Sequence, residues 1–177
     1  MSDFYILAGV SGIGKTTVMQ KVILVDKKIK GFVLLDEMKE VAKKKFKIKD
    51  ENKISKLLDV DDIFTEMRRL AVEKIRKNKN KKIILETHFA MWKKLFVPEI
   101  SLNELMKFKL KKIFLIEASP SEVRKLWTTK LTDDVEEYLE RERSYAEFVS
   151  DRLKIPLRII KSTNLEKIAK EILKEVK

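Results

Sequence analysis

The sequence predicts an α/β fold: a five-stranded parallel sheet with helices on both faces, in three layers. Two observations carry this expectation. Five short runs of Phe, Ile, Val and Leu recur along the 177 residues without polar alternation, as strands do when both faces are covered. Amphipathic segments with helix-start signals lie between them, and alternation of strands with helices implies parallel pairing. The expected strands are Phe4 to Ala8, Phe32 to Leu35, Ile83 to Leu85, Ile113 to Ile116 and Leu157 to Ile160. In such sheets ligands sit at the carboxyl ends of the strands.

The helical segments have distinct signatures. Thr17 to Leu24 continues from a glycine-rich turn. Ile63, Met67, Leu70, Ala71 and Ile75 form one apolar face of a helix opened by Asp61. Ser119-Pro120-Ser121-Glu122 combines a capping Ser, Pro at the first helical position and Glu three residues after the cap, and Ser101 with Glu104 repeats the capping-box spacing. From Asp133, Val135, Leu139, Glu142, Ala146, Val149 and Leu153 make one stripe of a long helix with a charge in its middle. Leu165, Ile168, Ala169, Ile172, Leu173 and Val176 make a terminal helix.

The length fits one domain, 1–177. No run of about 18 uncharged apolar residues exists to span a membrane, and the N-terminus lacks a basic start and apolar run. With no Cys, disulfides and thiolate metal sites are excluded. The expectation is a soluble cytoplasmic protein. The net charge is +12, and 32 of the 40 basic residues are Lys. Such a field attracts nucleotides and nucleic acid alike. The plainer alternative is a solvated Lys/Glu surface, which the spread of lysines along the chain favours. The tightest run, Arg76 to Lys82, reads as an exposed turn.

Gly9-Val10-Ser11-Gly12-Ile13-Gly14-Lys15-Thr16 matches G-x-x-x-x-G-K-[ST] at every fixed position, between a strand and a helix. Glycines permit backbone angles that turn several N–H groups into one concavity, and the helix N-terminus adds the positive end of its dipole. Lys15 supplies a point charge for the β- and γ-phosphates, and the Thr16 hydroxyl can coordinate Mg²⁺. A plain strand-to-helix turn has no need of Gly, Lys and Thr at these spacings. The motif calls for ATP and Mg²⁺, with Gly9, Ser11, Gly12, Ile13, Gly14, Lys15, Thr16 and Thr17 as the nucleotide cradle. The third strand ends in Glu86-Thr87-His88. Glu86 is the candidate magnesium acid, although an exposed strand end is the simpler reading of an acid there. His88, the only His, is a candidate for lining the site or for a structural hydrogen bond.

Taken together, these segments resemble the nucleoside monophosphate kinases, and most closely the archaeal type of adenylate kinase, over nearly the whole chain. The resemblance rests on the loop Ala8 to Thr17, on Glu40-Val41-Ala42, on acid-Thr-His at Glu86 to His88, on Ile116-Glu117-Ala118-Ser119-Pro120-Ser121-Glu122, and on Arg143 with Ala146 three positions on. It implies a P-loop NTPase fold and transfer of the γ-phosphoryl of ATP to AMP or a related nucleoside monophosphate. It also implies an acceptor-binding helical insertion over 36–80, a short lid over 126–134 and assembly as trimers. Arg141 and Arg143 are then expected to face the phosphates, with Arg124 and Lys130 as lid candidates. Asp36 and Lys56, with His88, are expected at the acceptor.

The chain departs from the family in three places. Ser55 stands where the family has an Arg before a Lys-Leu pair, the segment 126–133 holds no Arg, and Glu86 replaces the usual Asp. Arg grips phosphate in a planar fork where Lys is a point charge. The departures leave Lys53, Lys56, Arg68 and Arg69 to supply acceptor charge. They keep two alternatives open: a kinase for another small acceptor, and an ATPase linked to RNA or a ribosomal partner.

Overall fold

The computed structural model describes residues 2–48, 50, 61–89, 98–126 and 135–176. Five strands, β1 (Asp3–Gly9), β2 (Ile29–Val33), β3 (Lys82–Glu86), β4 (Lys109–Glu117) and β5 (Leu157–Lys161), form one sheet in the order β2-β3-β1-β4-β5. Every pairing is parallel. Around it lie α1 (Lys15–Val25), α2 (Leu34–Lys45), α3 (Asp61–Arg76), α4 (Leu102–Leu105), α5 (Pro120–Leu126), α6 (Val135–Leu153) and α7 (Leu165–Val176). Among the described residues no helix is long and apolar enough to cross a membrane.

The strands carry apolar residues on both faces because both faces are covered. Phe4, Ile6 and Ala8 of β1 join Ile83, Leu85, Ile113 and Leu115 in one core with α2 and α3. Tyr5 and Leu7 join Ile84, Phe114 and Ile116 in the other, with α1 and α7. This is the period-2 alternation of a strand read on two buried sides.

α6 belongs to both cores. Its early residues Val135 and Tyr138 lie in the α1 core, and Ala146 and Val149 lie in the α2 core. The helix crosses from one side of the sheet to the other over the carboxyl ends of the strands, with Glu142 at the crossing.

The expected second strand is corrected. Phe32 and Val33 close β2, but Leu34 and Leu35 open α2. Asp36 and Glu37 fall in the first helical turn, where acids complement the helix dipole, and Leu34 is buried as a helical residue. Asp36 is therefore a first-turn residue, not a strand end. β4 is longer than expected, beginning at Lys109. The expected capping boxes form at Ser101/Glu104 and Ser119/Glu122, each side chain bonding the other's backbone N–H.

Arg68 is buried with Glu104. Its Nε lies 2.8 Å from Glu104 Oε2, its Nη1 donates to Pro98 O at 3.3 Å, and its guanidinium lies 5.3 Å from the Phe64 ring centre. Removing one partner of a buried pair strands the other's charge. Glu104→Ala is expected to lower the urea-unfolding free energy by about 3–5 kcal/mol. An Arg68→Met, Glu104→Leu double variant should regain much of that loss.

Candidate functional site

The phosphate loop follows β1, the central strand, and Glu86 ends β3, its hydrogen-bonded neighbour. Parallel pairing therefore brings Gly9, Thr16, Glu86 and His88 to one edge. Gly9, Gly12 and Gly14 have positive φ values of 142°, 79° and 92°. A Cβ on Gly9 would lie 2.6 Å from Ile116 O of the adjacent strand, so position 9 needs glycine for its conformation and for the close approach of β4. Val10 and Ile13 are buried in the core beneath the loop, while Ser11 and Gly12 are exposed at its tip. Gly14 caps α1, and Thr16 and Thr17 stand exposed in the first turn.

Lys15 is buried, and its Nζ donates to Gly9 O at 2.7 Å and Val10 O at 3.0 Å. Burial pushes its pKa down, while Glu142, Glu86 and Glu99 act to keep it charged. His88 Nδ1 lies 3.0 Å from Gly9 O and 3.3 Å from Lys15 Nζ. A carbonyl and an ammonium cannot both be partners of one nitrogen in one tautomer. The Gly9 contact requires the proton on Nδ1, with Lys15 as a close cationic neighbour. Burial and then Lys15 push the His88 pKa down to about 3. The imidazole is neutral at physiological pH.

Thr16 Oγ1 donates to Glu86 Oε1 at 2.9 Å. Glu86 is buried, and its Oε2 has no hydrogen-bond partner among the described residues. Burial raises its pKa, with Lys15 opposing. A buried carboxylate oxygen without a donor is costly unless a cation or water completes it. The hydroxyl and the carboxylate fit Mg²⁺, which takes oxygen ligands and is commonly held by one or two protein groups together with substrate phosphates. Among the described residues, no cluster of three or more His, Cys, Asp or Glu side chains could hold a metal ion. The pair would thus hold Mg²⁺ with the nucleotide rather than alone.

Two buried acids that the sequence reading did not assign organise this edge. Glu142 accepts from Gly9 N at 2.9 Å and from Phe89 N at 2.9 and 3.0 Å. It joins the start of the phosphate loop to the segment after β3. The signal in the sequence was the charge in the middle of an apolar helical stripe. Glu99 accepts from Thr87 Oγ1 and His88 N, both at 2.7 Å, and no local pattern announced it. Burial pushes its pKa up to about 7, against the bonds from His88 and Thr87.

The other candidates lie as follows. Asp36 is exposed beyond β2, near enough to Glu86 to raise its pKa, and 3.9 Å from Lys39 Nζ. Arg143 Nε donates to Glu117 Oε1 at the end of β4, at 2.6 Å. Arg141 pairs with Glu137, and Arg124 donates to Glu136 at 2.7 Å. Each of the three arginines pairs with a carboxylate. Arg69 pairs with Glu66 and Glu73 on its own helix. Lys53, Ser55, Lys56 and Lys130 lie outside the described residues.

Glu99 links the site to stability. Its pKa is about 7 in the folded chain against an ordinary 4.5. Between these values the folded state holds the extra proton, so its contribution is complete below about pH 4.5 and lost as pH rises through about 7. Glu99→Gln carries no ionisable group there. Relative to the natural chain, it should gain on the order of 2 kcal/mol between pH 5 and pH 8. Urea unfolding of both proteins at the two pH values measures this, and equal pH slopes would show Glu99 ionised throughout.

Comparison with known proteins places this architecture. A family model described as AAA domain matches residues 8–141. No curated protein matches the sequence. Among solved structures, shikimate kinase from Acinetobacter baumannii in complex with shikimate aligns with a TM-score of 0.60 at 14% identity, covering 99% of this chain and 93% of that one. A gluconokinase from Sinorhizobium meliloti 1021 aligns with a TM-score of 0.57 at 12% identity, covering 98% and 91%. TT1252 from Thermus thermophilus aligns with a TM-score of 0.56 at 18% identity, covering 99% and 98%. At these identities the likeness is one of fold. With the family match covering the phosphate loop, the third-strand acid and the crossing helix up to Arg141, the chain belongs to the AAA domain family, on the α/β fold shared with P-loop kinases.

Proposed function

We propose that the chain is an ATP- and Mg²⁺-dependent phosphotransferase that moves the γ-phosphoryl to a small acceptor. The observation that carries this reading is the Lys15 loop beside the Thr16–Glu86 pair, with Glu86 Oε2 lacking a hydrogen-bond partner among the described residues. The loop N–H groups and the α1 N-terminus would bind the phosphates, and Lys15 would neutralise charge on the transferred group. When bound, Mg²⁺ supplies charge neutralisation at the phosphate oxygens. Glu142 and Glu99 hold the loop and the His88 segment in register. Neutral His88 orients the Gly9 carbonyl.

The first acceptor reading is AMP or a related nucleoside monophosphate, supported by the sequence resemblance. The second is a hydroxyl-bearing metabolite. The engagement of Arg68 by Glu104 and of Arg69 by Glu66 favours it, because neither guanidinium is left as an unengaged phosphate fork. The names of two fold neighbours, shikimate kinase and gluconokinase, lend it support. The two readings differ at Asp36. A hydroxyl acceptor must lose a proton, and Asp36 is an exposed carboxylate near Glu86 that could receive it. A phosphate acceptor has no such need.

Lys15→Ala should fold, weaken ATP binding and lower transfer by at least about 100-fold. Unchanged ATP affinity by calorimetry in the folded variant would sink the proposal. Glu86→Gln should lose turnover with only a modest change in nucleotide affinity. ADP release measured with AMP, CMP, UMP, GMP, sugars and hydroxy acids identifies the acceptor. Asp36→Asn should then cut turnover sharply with a hydroxyl acceptor and leave transfer to a monophosphate nearly intact.

A further inference from the structure

The fold gathers eleven of the 32 lysines, which look evenly spread along the sequence, at one edge of the sheet. In a parallel sheet every strand starts at the same edge. The segments that lead into β2, β3, β4 and β5 are 26–30, 76–82, 107–111 and 152–154. They contain thirteen basic residues and one acid, Asp26, leaving 27 basic and 27 acidic residues in the rest of the chain. These four segments carry a net +12, equal to that of the whole chain, at the amino edge opposite the phosphate loop. Asp3, at the start of β1, pairs with Lys109 at 2.7 Å and lies near Lys82 and Lys111, which takes the edge to +11, and Glu175 pairs with Lys112 beside it.

The geometry of this edge is suited to a strand of phosphates. Neighbouring strands lie about 4.8 Å apart, so five of them set the cations along a line of roughly 20 Å. On β4 the register shifts opposite Phe4 and Tyr5: Leu110 and Lys112 pair with them, and Lys111 is left over as a bulge. Next to the 76–82 segment is an open cavity of about 340 Å³ lined by Ser2, Phe4, Arg76 and residues 78–81. Asn78 and Asn80 place amides among the cations there, and Asn78 Oδ1 accepts from Asn80 N at 3.0 Å to hold the turn. Only Arg76 and Arg152 among the thirteen are Arg. Lysines act as point charges on phosphates and lack the fork that reads base edges.

An anionic membrane is the less favoured occupant. Surface insertion needs apolar anchors beside the charges. The exposed Leu24 and Val25 end α1, whose buried residues lie in one core. The exposed Met106 lies between Leu105 and Phe108 of the other core. These side chains belong to opposite layers and form no common apolar face.

We propose that the amino edge of the sheet is a nucleic-acid-binding face, separate from the phosphate loop, that takes the sugar–phosphate backbone of a single strand across the starts of β2 to β5. Binding is driven by counterion release and is independent of base sequence.

The test uses the full chain and fluorescence anisotropy with a labelled RNA of about 20 nucleotides, over a range of salt. The edge variant combines Lys77→Glu, Lys79→Glu and Lys81→Glu, all exposed. A control with the same charge change combines Lys125→Glu, Lys161→Glu and Lys167→Glu at the opposite edge, also exposed. Circular dichroism checks that both fold. The expected result is a loss of at least about tenfold in affinity for the edge variant at about 0.1 M salt, with the slope of log K against log salt reduced by about 2. The control should change by less than about threefold, and Lys15→Ala should bind RNA as the natural chain does. Equal losses in both triple variants would mean a diffuse field and overturn the proposal. So would unsaturable binding by the natural chain, loss of RNA binding in Lys15→Ala, or tighter, edge-dependent binding to phosphatidylserine vesicles than to RNA.

Discussion

Uniform strand direction is the constraint on which the rest of this structure depends. With all five strands parallel, every connection is forced to one of two edges. The carboxyl edge receives the phosphate loop, the Glu86 strand end and the Glu117 strand end. The amino edge receives the returns from the helices, which hold the charge excess. The two edges share no charged segment, so an anionic small molecule and an anionic polymer could occupy the chain together. Burial on both faces makes the arrangement stable, since each strand contributes alternate residues to two separate cores.

At the carboxyl edge, main-chain groups are held by buried carboxylates. Gly9 is engaged at its N–H by Glu142 and at its carbonyl by Lys15 and His88. The amides of His88 and Phe89 are engaged by Glu99 and Glu142. Such bonds to charged acceptors are stronger than neutral ones. With Glu86, these acids cluster three carboxylates around one buried ammonium, so all three raise the Lys15 pKa against the burial that lowers it.

Much of this was legible in the sequence where the signal was local. The phosphate loop is a contiguous motif. Glu86 follows an apolar run, and both Ser/Glu capping boxes are read over four residues. The misread boundary at Leu34 arose because apolar residues continue from β2 into α2, and only the acids at 36 and 37 mark the change of period. Glu142 was illegible as a site residue because its partners are remote in sequence, and Glu99 because no periodic or capping pattern links it to Thr87 and His88. Gly9 and Glu142 are 133 positions apart. A glutamate within an apolar helical stripe was the one trace, and it makes sense only once α6 is seen to pass from one core to the other. The charge excess was counted correctly from composition, but its segregation required the topology.

The hold that Glu142 has on Phe89 divides the chemical demands of the two positions. The group gripped at 89 is a peptide amide, which every amino acid except proline presents. The side chain there is left to packing alone, with Phe89 buried against Tyr145 at 5.4 Å between ring centres. Position 142 carries the opposite burden, since its carboxylate accepts the hydrogen bonds that join the two segments. Sequence drift at 89 is therefore filtered by shape and at 142 by charge, so the same contact would leave two dissimilar patterns of tolerated residues among descendants of this chain.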